Sequence, residues 1–427
     1  MSRLAAPAEP AARAGTRPSA AFLLYLGALA LLPWASFPSF PWLNENAQWS
    51  DVLVLAAALA WLAEQRRQAL HRPTTAELLL GVFIALAGLS WLFAPIGYGG
   101  TFGDLIGACE LAVIAYLTSR FAADRWAFGL IVRVVTGTSL LVVGAALLGV
   151  VLFYANVESA LVSGYSGLDT SASYVRVEAA MEHPAALGSY CIFASAVIAQ
   201  GADALPRWLR LGAQLALALM VVLTFSRAIV GFVLAALIRV ADTPRRRMVA
   251  AAAAVVCVAV MALGTFADTP NGPFSLRVST DHPPPRSKEL TSSIETAADR
   301  PLLGTGPGSF PGLDPGIGRR QAHDTPVGIA ATLGIPALLV LIAFLAVLWR
   351  DRTRPTNRAT WGGLAGLGVD GLGQDIEHFR HVWVLIGLAW AQSRSTTSRL
   401  ETYSGVPTAG GRVGLSRVST QVGSTIR

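Results

Sequence analysis

Long apolar runs alternate with short polar links along most of this chain of 427 residues. A helix rises 1.5 Å per residue, so about 20 apolar residues cross the roughly 30 Å hydrocarbon core of a bilayer. Twelve stretches are apolar enough to predict such helices, and the eleventh is the weakest because it is rich in glycine. They are residues 20–37, 49–63, 76–93, 102–117, 128–154, 185–200, 209–223, 228–240, 248–266, 327–349, 360–372 and 382–392. The pattern predicts an all-α polytopic membrane protein of about 12 transmembrane helices.

Composition agrees with this class of protein. Hydrophobic residues make up 53% of the chain and charged residues 14%, whereas soluble proteins carry roughly 25% charged residues. Cys109, Cys191 and Cys257 all lie within apolar runs, which favours buried thiols over disulfides or metal ligands. No zinc or iron–sulfur spacing occurs in the sequence, so neither a metal nor a cofactor is expected.

The positions of the basic residues predict the orientation. Lysine and arginine in short loops stay on the cytoplasmic side during insertion. With a cytoplasmic N-terminus, most of the 33 basic residues fall in the two tails and in alternate short links. Arg227 and Arg380 are the exceptions, because each lies in a short link on the opposite side. The net charge of +7 then reflects topology and contact with anionic lipid head groups, and nucleic acid binding is not implied.

The same pattern predicts one membrane domain, residues 19–392, between two cytoplasmic tails. The tails are residues 1–18 and residues 393–427, and the second is expected to be disordered because it is rich in serine and threonine. A cleavable signal peptide is an alternative interpretation of the first apolar run, but residues 34–36 are a poor cleavage site and an uncleaved helix is favoured. Polar residues concentrate in two extracytoplasmic loops, about 155–184 and 267–326, where function should be sought.

The larger loop contains a predicted helix followed by a glycine-rich turn. After three prolines, Leu290, Ile294 and Ala298 recur every four residues, which predicts a short amphipathic helix that ends at Pro301. The stretch RPLLGTGPGSF, residues 300–310, then places three glycines at alternate positions. It lacks the preceding strand and the following helix of phosphate-binding loops. We therefore expect a turn that needs positive backbone angles and brings the next segment back over the same pocket.

Four stretches in this region resemble one known family. They are YVRVEAAMEHPAALGSY (174–190), LTFSRAIVGF (223–232), RSKELTSSIETAADRPLLGTGPGSF (286–310) and AHDTPVGIAATLGIPALL (322–339). In order and spacing they resemble the O-antigen ligase and O-antigen polymerase superfamily of bacterial membrane glycosyltransferases. The chain departs from the family pattern at Asp324, Pro326 and Thr332, where an asparagine, an aromatic residue and a glutamate are common.

The resemblance implies a function at the outer face of the bacterial cytoplasmic (inner) membrane. Such enzymes move a glycan from undecaprenyl pyrophosphate, a polyprenyl pyrophosphate carrier, to a hydroxyl of lipid A-core or of another saccharide. It implies a metal-independent, inverting transferase without a cofactor, and of the ligase type in preference to the polymerase type. A polysaccharide transporter or flippase is the alternative from another class. Transporters keep polar residues at broken helices near the membrane midplane, whereas the candidates here lie outside.

Three arginines and one histidine carry the predicted chemistry. Arg227 and Arg286 are expected to bind the departing pyrophosphate through paired charge-assisted hydrogen bonds, with Arg176 as a third candidate. His323 is the expected general base, because a neutral imidazole accepts a proton near neutral pH. The structural alternatives are lipid phosphate binding for Arg227, a solvated loop charge for Arg286 and an ordinary helix-entry residue for His323. His183 precedes Pro184 and is expected to shape the start of a helix.

A few other charged residues lie within or beside apolar runs. Glu110 and Arg133 lie inside such runs, where an unpaired charge is costly. Either the two form an ion pair or Arg133, near the inner end of its helix, reaches the membrane interface, and a structural role is expected for both. A second cluster comprises Asp370, Asp375, Glu377 and His378 in one outer link, and the sequence assigns it no role.

Overall fold

The computed structural model describes residues 18–34, 48–65, 73–95, 102–155, 157, 177–181, 183–224, 226–266, 286–309, 324–350 and 357–404. For residues 260–266, 286–288 and 395–404 it describes the backbone alone.

Within these ranges the regular elements are fourteen α-helices and a short 3-10 turn, and there is no strand. The helices are α1 (Ala20–Leu31), α2 (Trp49–Gln65), α3 (Thr75–Leu92), α4 (Phe102–Phe121), α5 (Arg125–Tyr154), α6 (Pro184–Gln200), α7 (Arg207–Leu223), α8 (Ala228–Val240), α9 (Pro244–Phe266), α10 (Arg286–Asp299), α11 (Thr325–Leu333), α12 (Ile335–Trp349), α13 (Arg358–Asp370) and α14 (Arg380–Ser404). The predicted all-α class is confirmed.

Eleven of the twelve predicted apolar stretches each coincide with one helix, with differences at the ends, and the tenth contains two helices, α11 and α12. Helices α3, α4 and α5 are long and apolar enough to cross a membrane, and α1, α6, α8 and α12 are shorter apolar helices. Twelve crossings and an extracytoplasmic loop therefore stay predictions. The amphipathic helix before Pro301 is present as α10. Helix α14 continues to Ser404, into the tail expected to be disordered, and Arg394 anchors this part by an ion pair with Glu77 at 2.7 Å.

Ion pairs at the two ends of the bundle show that α3 runs opposite to α2, α4 and α14. At one end, Glu77 of α3 accepts hydrogen bonds from Arg120 of α4 and from Arg394 of α14, each at 2.7 Å. At the other end, Arg380 of α14 donates to Asp51 of α2 at 2.5 and 2.7 Å. The arginine count places Arg120 and Arg394 on one side and Arg380 on the other, in agreement with this arrangement. Which end faces the cytoplasm stays a prediction.

Glycines bring α8 and α13 into backbone contact. A Cβ atom on Gly231 would lie 2.3 Å from the carbonyl oxygen of Gly366, and a Cβ atom on Gly366 would lie 2.4 Å from that of Gly231. Gly363, one turn earlier on α13, packs against α6, since a Cβ atom on it would lie 2.5 Å from the Cβ atom of Ala196. Small residues allow this approach between membrane helices. The glycines that weaken the eleventh apolar stretch as a sequence signal are therefore its packing surface.

Of the two alternatives for Glu110 and Arg133, the mutual ion pair is wrong. Arg133 donates to the backbone carbonyl of Ala204 at 3.4 Å. Glu110 instead lies 3.5 Å from Arg380, beside Asp51. The reason is geometric, because α14 packs along α4 and brings its first residue to Glu110.

Candidate active site

The tenth apolar stretch is interrupted at Gly334, which separates α11 from α12. Gly334 has a φ of +88°, and its amide donates to Ala330 at 3.1 Å. The amide of Ile335, the first residue of α12, donates to the carbonyl of Pro301 at 2.8 Å. The continuous helix over residues 327–349 expected from the sequence is thus corrected to two helices.

Residues 300–309, which we call the glycine turn, cap the end of α11. The amides of Thr305 and Gly306 donate to the carbonyls of Ala331 and Thr332 at 3.0 and 2.8 Å. The hydroxyl of Ser90, near the end of α3, donates to the same Thr332 carbonyl at 2.8 Å. Carbonyls at the end of a helix lack intrahelical partners, and the glycine turn supplies partners for two of them.

The three glycines of this turn all have positive φ, as the sequence predicts. The values are +62° at Gly304, +103° at Gly306 and +70° at Gly308. A Cβ atom on Gly304 would lie 2.5 Å from the backbone of Thr332, and one on Gly308 would lie 2.1 Å from Cγ of Asp104 in α4. The glycine turn is therefore packed tightly against α11 and the start of α4, in addition to reversing the chain.

The first residue of α11 is held by the link that follows α13. The amide of Thr325 donates to the carbonyl of Gly371 at 2.8 Å. Its hydroxyl donates to the carbonyl of Gln374 at 2.9 Å and accepts from the amide of Ile376 at 2.8 Å. Since Thr332 at the other end contacts α3, α11 connects the C-terminal ends of α13 and α3. His323 precedes this anchored helix by two residues.

Two of the departures from the family pattern have structural roles here. Asp324 is the N-cap of α11, and its carboxylate accepts from the amide of Val327 at 3.0 Å. Aspartate and asparagine are equally good N-caps, so this exchange preserves the cap. The Thr332 hydroxyl donates to the carbonyl of Gly328 at 2.7 Å within the helix.

Arg227 lies half-buried in the turn between α7 and α8, directly before Ala228. Its neighbour Ser226 is close to α6, because a Cβ atom on Gly188 would lie 2.8 Å from the Ser226 hydroxyl oxygen. The amide of Val177, the residue after Arg176, donates to the carbonyl of Leu223 at 3.1 Å. Val177 therefore lies beside the end of α7, close to the turn that carries Arg227.

A short series of contacts links the Arg227 turn to the start of α11. Ser189, next to Gly188 on α6, donates a hydrogen bond to the buried carboxyl group of Asp370 at the end of α13. The next residue, Gly371, receives the Thr325 amide. The Arg227 turn and the residue that follows the His323–Asp324 pair are thus anchored to adjacent parts of α6 and α13.

Arg286 is the first residue of α10, and its side chain is not described. Helix α10 packs against α11, with Leu290 and Ser293 buried. The C-terminal ends of the two helices meet where Pro301 binds Ile335, so their N-terminal ends face the same way. Arg176 and His323 lie outside the described residues. Convergence of the guanidinium groups with the imidazole therefore stays a prediction.

His183 has the role that the sequence predicts. It is the N-cap of α6, and its Nδ1 atom accepts a hydrogen bond from the amide of Ala185 at 3.1 Å. Pro184 follows as the first helical residue.

The link after α13, residues 371–379, brings further ionisable groups to this end of the molecule, and we call it the acidic turn. A Cβ atom on Gly328 of α11 would lie 3.3 Å from Oε1 of Glu377. Burial raises the pKa of Asp375 and of Glu377, and the neighbouring Asp375 raises the pKa of Glu377 further. The sequence shows these residues in one polar link, but their contact with α11 depends on the helix packing.

A bundle of apolar helices with polar groups gathered at one end defines the class of this molecule as an integral membrane protein. Residues 212–342 match the family model described as O-antigen ligase (Wzy_C). This match confirms the resemblance to the O-antigen ligase and polymerase superfamily and supports glycosyltransferase-type activity. The matched segment contains Arg227, Arg286 and His323. Neither the curated proteins nor the solved structures gave a match to the chain.

Proposed function

We propose that this protein is an O-antigen ligase-like glycosyltransferase of the bacterial inner membrane. It moves a glycan from undecaprenyl pyrophosphate to a hydroxyl of lipid A-core or another saccharide on the outer face. The observation that carries this proposal is the family match over residues 212–342, which contains three of the four predicted site residues. The hydrogen bonds that fix both ends of α11 support it, because the predicted base His323 comes two residues before this helix in the sequence.

In the proposed reaction, the acceptor hydroxyl oxygen attacks the anomeric carbon of the donor while the bond from that carbon to the pyrophosphate oxygen breaks. His323 takes the hydroxyl proton. Arg227 and Arg286, with Arg176 beside them, bind the departing pyrophosphate through bidentate hydrogen bonds. Because the attack comes opposite the leaving group, the configuration inverts. No metal is needed for this step, since the guanidinium groups neutralise the phosphate charge.

A polymerase of the same superfamily is the nearest alternative, because it uses the same donor and differs in its acceptor. The two activities leave different products when transfer is lost. A polymerase defect gives short glycans of one repeat unit attached to the cell surface. A ligase defect gives long glycans that stay on the lipid carrier.

A transporter is the alternative from another class, and the break between α11 and α12 is the observation that favours it. Broken helices in transporters offer free backbone groups to the substrate near the membrane midplane. Here Ala331 and Thr332 have their carbonyls bonded to the glycine turn, and the Ile335 amide is bonded to Pro301. The backbone groups at this break are thus hydrogen-bonded within the protein, which favours a transferase over a transporter.

The test replaces the chromosomal copy with Arg286→Ala or His323→Ala and follows surface glycan and lipid-linked precursor. We expect surface glycan to be lost and precursor to accumulate on the outer face, with a rate reduction of about 10²- to 10⁴-fold for the histidine variant. Purified protein should retain transfer in excess EDTA. Precursor on the inner face would indicate a flippase and overturn the proposal.

Arg125→Gln is the matched control. Arg125 is another arginine beside a helix, but it lies at the predicted cytoplasmic end. Its side chain is 90% exposed, and its ion pair with Asp203 is long at 3.4 Å. Normal transfer in this variant excludes a general effect of removing an arginine.

A further inference from the structure

The acidic turn is held rigidly, with its carboxylates against α11. Thr325 bonds to three of its backbone groups, and the indole of Trp383 donates to the carbonyl of Glu377 at 2.7 Å. The backbone that carries Asp375, Glu377 and His378 is therefore fixed by contacts that do not involve their side chains.

Three potential metal ligands meet in this turn. One ligand atom from each of Asp375, Glu377 and His378 lies within 4.8 Å of the others, and Nδ1 of His378 is 3.8 Å from Oδ2 of Asp375. Ligands about 2.1 Å from one metal ion lie roughly 3 to 4 Å apart. The spacing therefore suits one ion, with a small rotation of the exposed His378 ring.

The two carboxylates contact each other, and the exposed His378 is the side chain beside them that can carry the opposite charge. The Asp375 side chain is 8% exposed. Oδ1 of Asp375 and Oε2 of Glu377 are both buried without a hydrogen-bond donor among the described residues. Arg380, the nearest cation along the chain, is engaged with Asp51, and Asp324 on α11 adds a further negative charge nearby. Two buried carboxylates in contact need either a shared proton or a cation between them.

We propose that Asp375, Glu377 and His378 bind one divalent cation of the class that accepts both carboxylate oxygen and imidazole nitrogen, such as Mn²⁺ or Zn²⁺. Its double charge neutralises both carboxylates, and the mixed donor set disfavours Mg²⁺, which prefers oxygen ligands alone. The ion strengthens the wall of the candidate active site beside α11 and takes no part in the proposed transfer. This departs from the absence of a metal expected from the sequence.

The experiment uses the full chain without a polyhistidine tag, purified in lipid nanodiscs, stripped with EDTA and dialysed. Thermal unfolding is followed by tryptophan fluorescence while MnCl₂, ZnCl₂ or MgCl₂ is added, and bound Mn²⁺ is counted by electron paramagnetic resonance. We expect a saturable rise in Tm of about 3 °C or more with Mn²⁺ or Zn²⁺, one ion per chain, and a weaker effect of Mg²⁺.

Variants locate the ion. The double variant Asp375→Asn/Glu377→Gln should lose the response, and His378→Ala, which changes an exposed side chain, should bind about tenfold or more weakly. Asp242→Asn, at an exposed carboxylate paired with Arg246, is the control and should respond as the wild type does.

Two results would overturn the proposal. One is Mn²⁺ binding by the double variant as tight as that of the wild type. The other is a wild-type Tm that does not change when metal is added, together with a higher Tm for the double variant than for the wild type. That combination would show that the two carboxylates share a proton. Neither result involves a glycan donor, so the proposed transferase activity is tested separately.

Discussion

Arg380 lies at an unusual position for an arginine, and buried ion pairs stabilise it there. It is one of two arginines in short links on the predicted outer side, and its guanidinium forms two hydrogen bonds with Asp51 at 2.5 and 2.7 Å. Glu110 is 3.5 Å away. The side chains of all three are at least four-fifths buried, with exposures of 18%, 19% and 14%. The outer position of Arg380 is therefore explained by its structural role. Arg227 is the other arginine in a short outer link, and its proposed role is functional.

Removal of this guanidinium should be costly. Arg380→Met leaves Asp51 and Glu110 buried without their cation, and we expect the free energy of unfolding to fall by about 3 to 5 kcal/mol. Arg246→Met removes the partner of the exposed Asp242 and should change the free energy of unfolding far less, because solvent screens such a pair. Denaturant unfolding in one detergent measures both. Equal losses would show that burial of the first pair has no energetic consequence.

Pairings of this kind are beyond the reach of sequence patterns. Arg380 and Asp51 are separated by 329 positions, and only the packing of α2, α4 and α14 brings them together. The sequence suggested Glu110 and Arg133 instead, since both are charged residues inside apolar runs. It did identify Arg380 as anomalous, because the distribution of basic residues depends on membrane topology and is readable along the chain.

Among the helices, the break at Gly334 could not be predicted from hydropathy. The residues on both sides are apolar, so a sliding average shows one continuous span. A local signal was nevertheless present, because Gly334 is followed by Pro336, and glycine after one helix with proline in the first turn of the next is a typical boundary. The start and end of α10 were predictable because prolines flank it and its apolar residues repeat at helical spacing.

The glycine turn should not tolerate a side chain at Gly304. Gly304→Ala forces a side chain into a positive φ and places Cβ 2.5 Å from the Thr332 backbone, so we expect a loss of about 2 to 4 kcal/mol. Gly212→Ala in α7 is the control, because nothing lies within 4 Å of its Cβ position. It should be neutral or slightly stabilising. Thermal unfolding and transfer rate together measure the effect.

Alanine at Gly304, Gly306 and Gly308 together should abolish transfer, because α11 would lose its contact with the turn. Full transfer by this triple variant would exclude the proposed role of the turn in holding the segment around His323.

The whole molecule has two chemically distinct ends, and every part of the functional proposal depends on which one faces outward. Asp51, Arg380, the glycine turn and the acidic turn share one end, whereas Glu77, Arg120 and Arg394 share the other. The sequence predicts this division, since short basic links mark the cytoplasmic side. It does not predict how the outer segments pack, because that depends on contacts between residues far apart in the chain.

Labelling of single cysteines tests the orientation. In a background without Cys109, Cys191 and Cys257, Glu295→Cys on α10 and Arg246→Cys at the start of α9 each offer an exposed site. A membrane-impermeant maleimide should modify the first and spare the second in spheroplasts. Permeabilised spheroplasts should show both labelled. If intact spheroplasts were labelled at residue 246 and not at residue 295, the arginines of the candidate site would face the cytoplasm. That result would contradict the proposed reaction.

The bond between Ser90 and Thr332 has a consequence for how the protein is made. It joins positions separated by 242 residues, so the Ser90 hydroxyl lacks this partner until the ribosome has added residue 332 of 427. The end of α3 is therefore made long before the segment against which it packs. The contacts of α11 that frame the candidate site can therefore form only after most of the chain has been made.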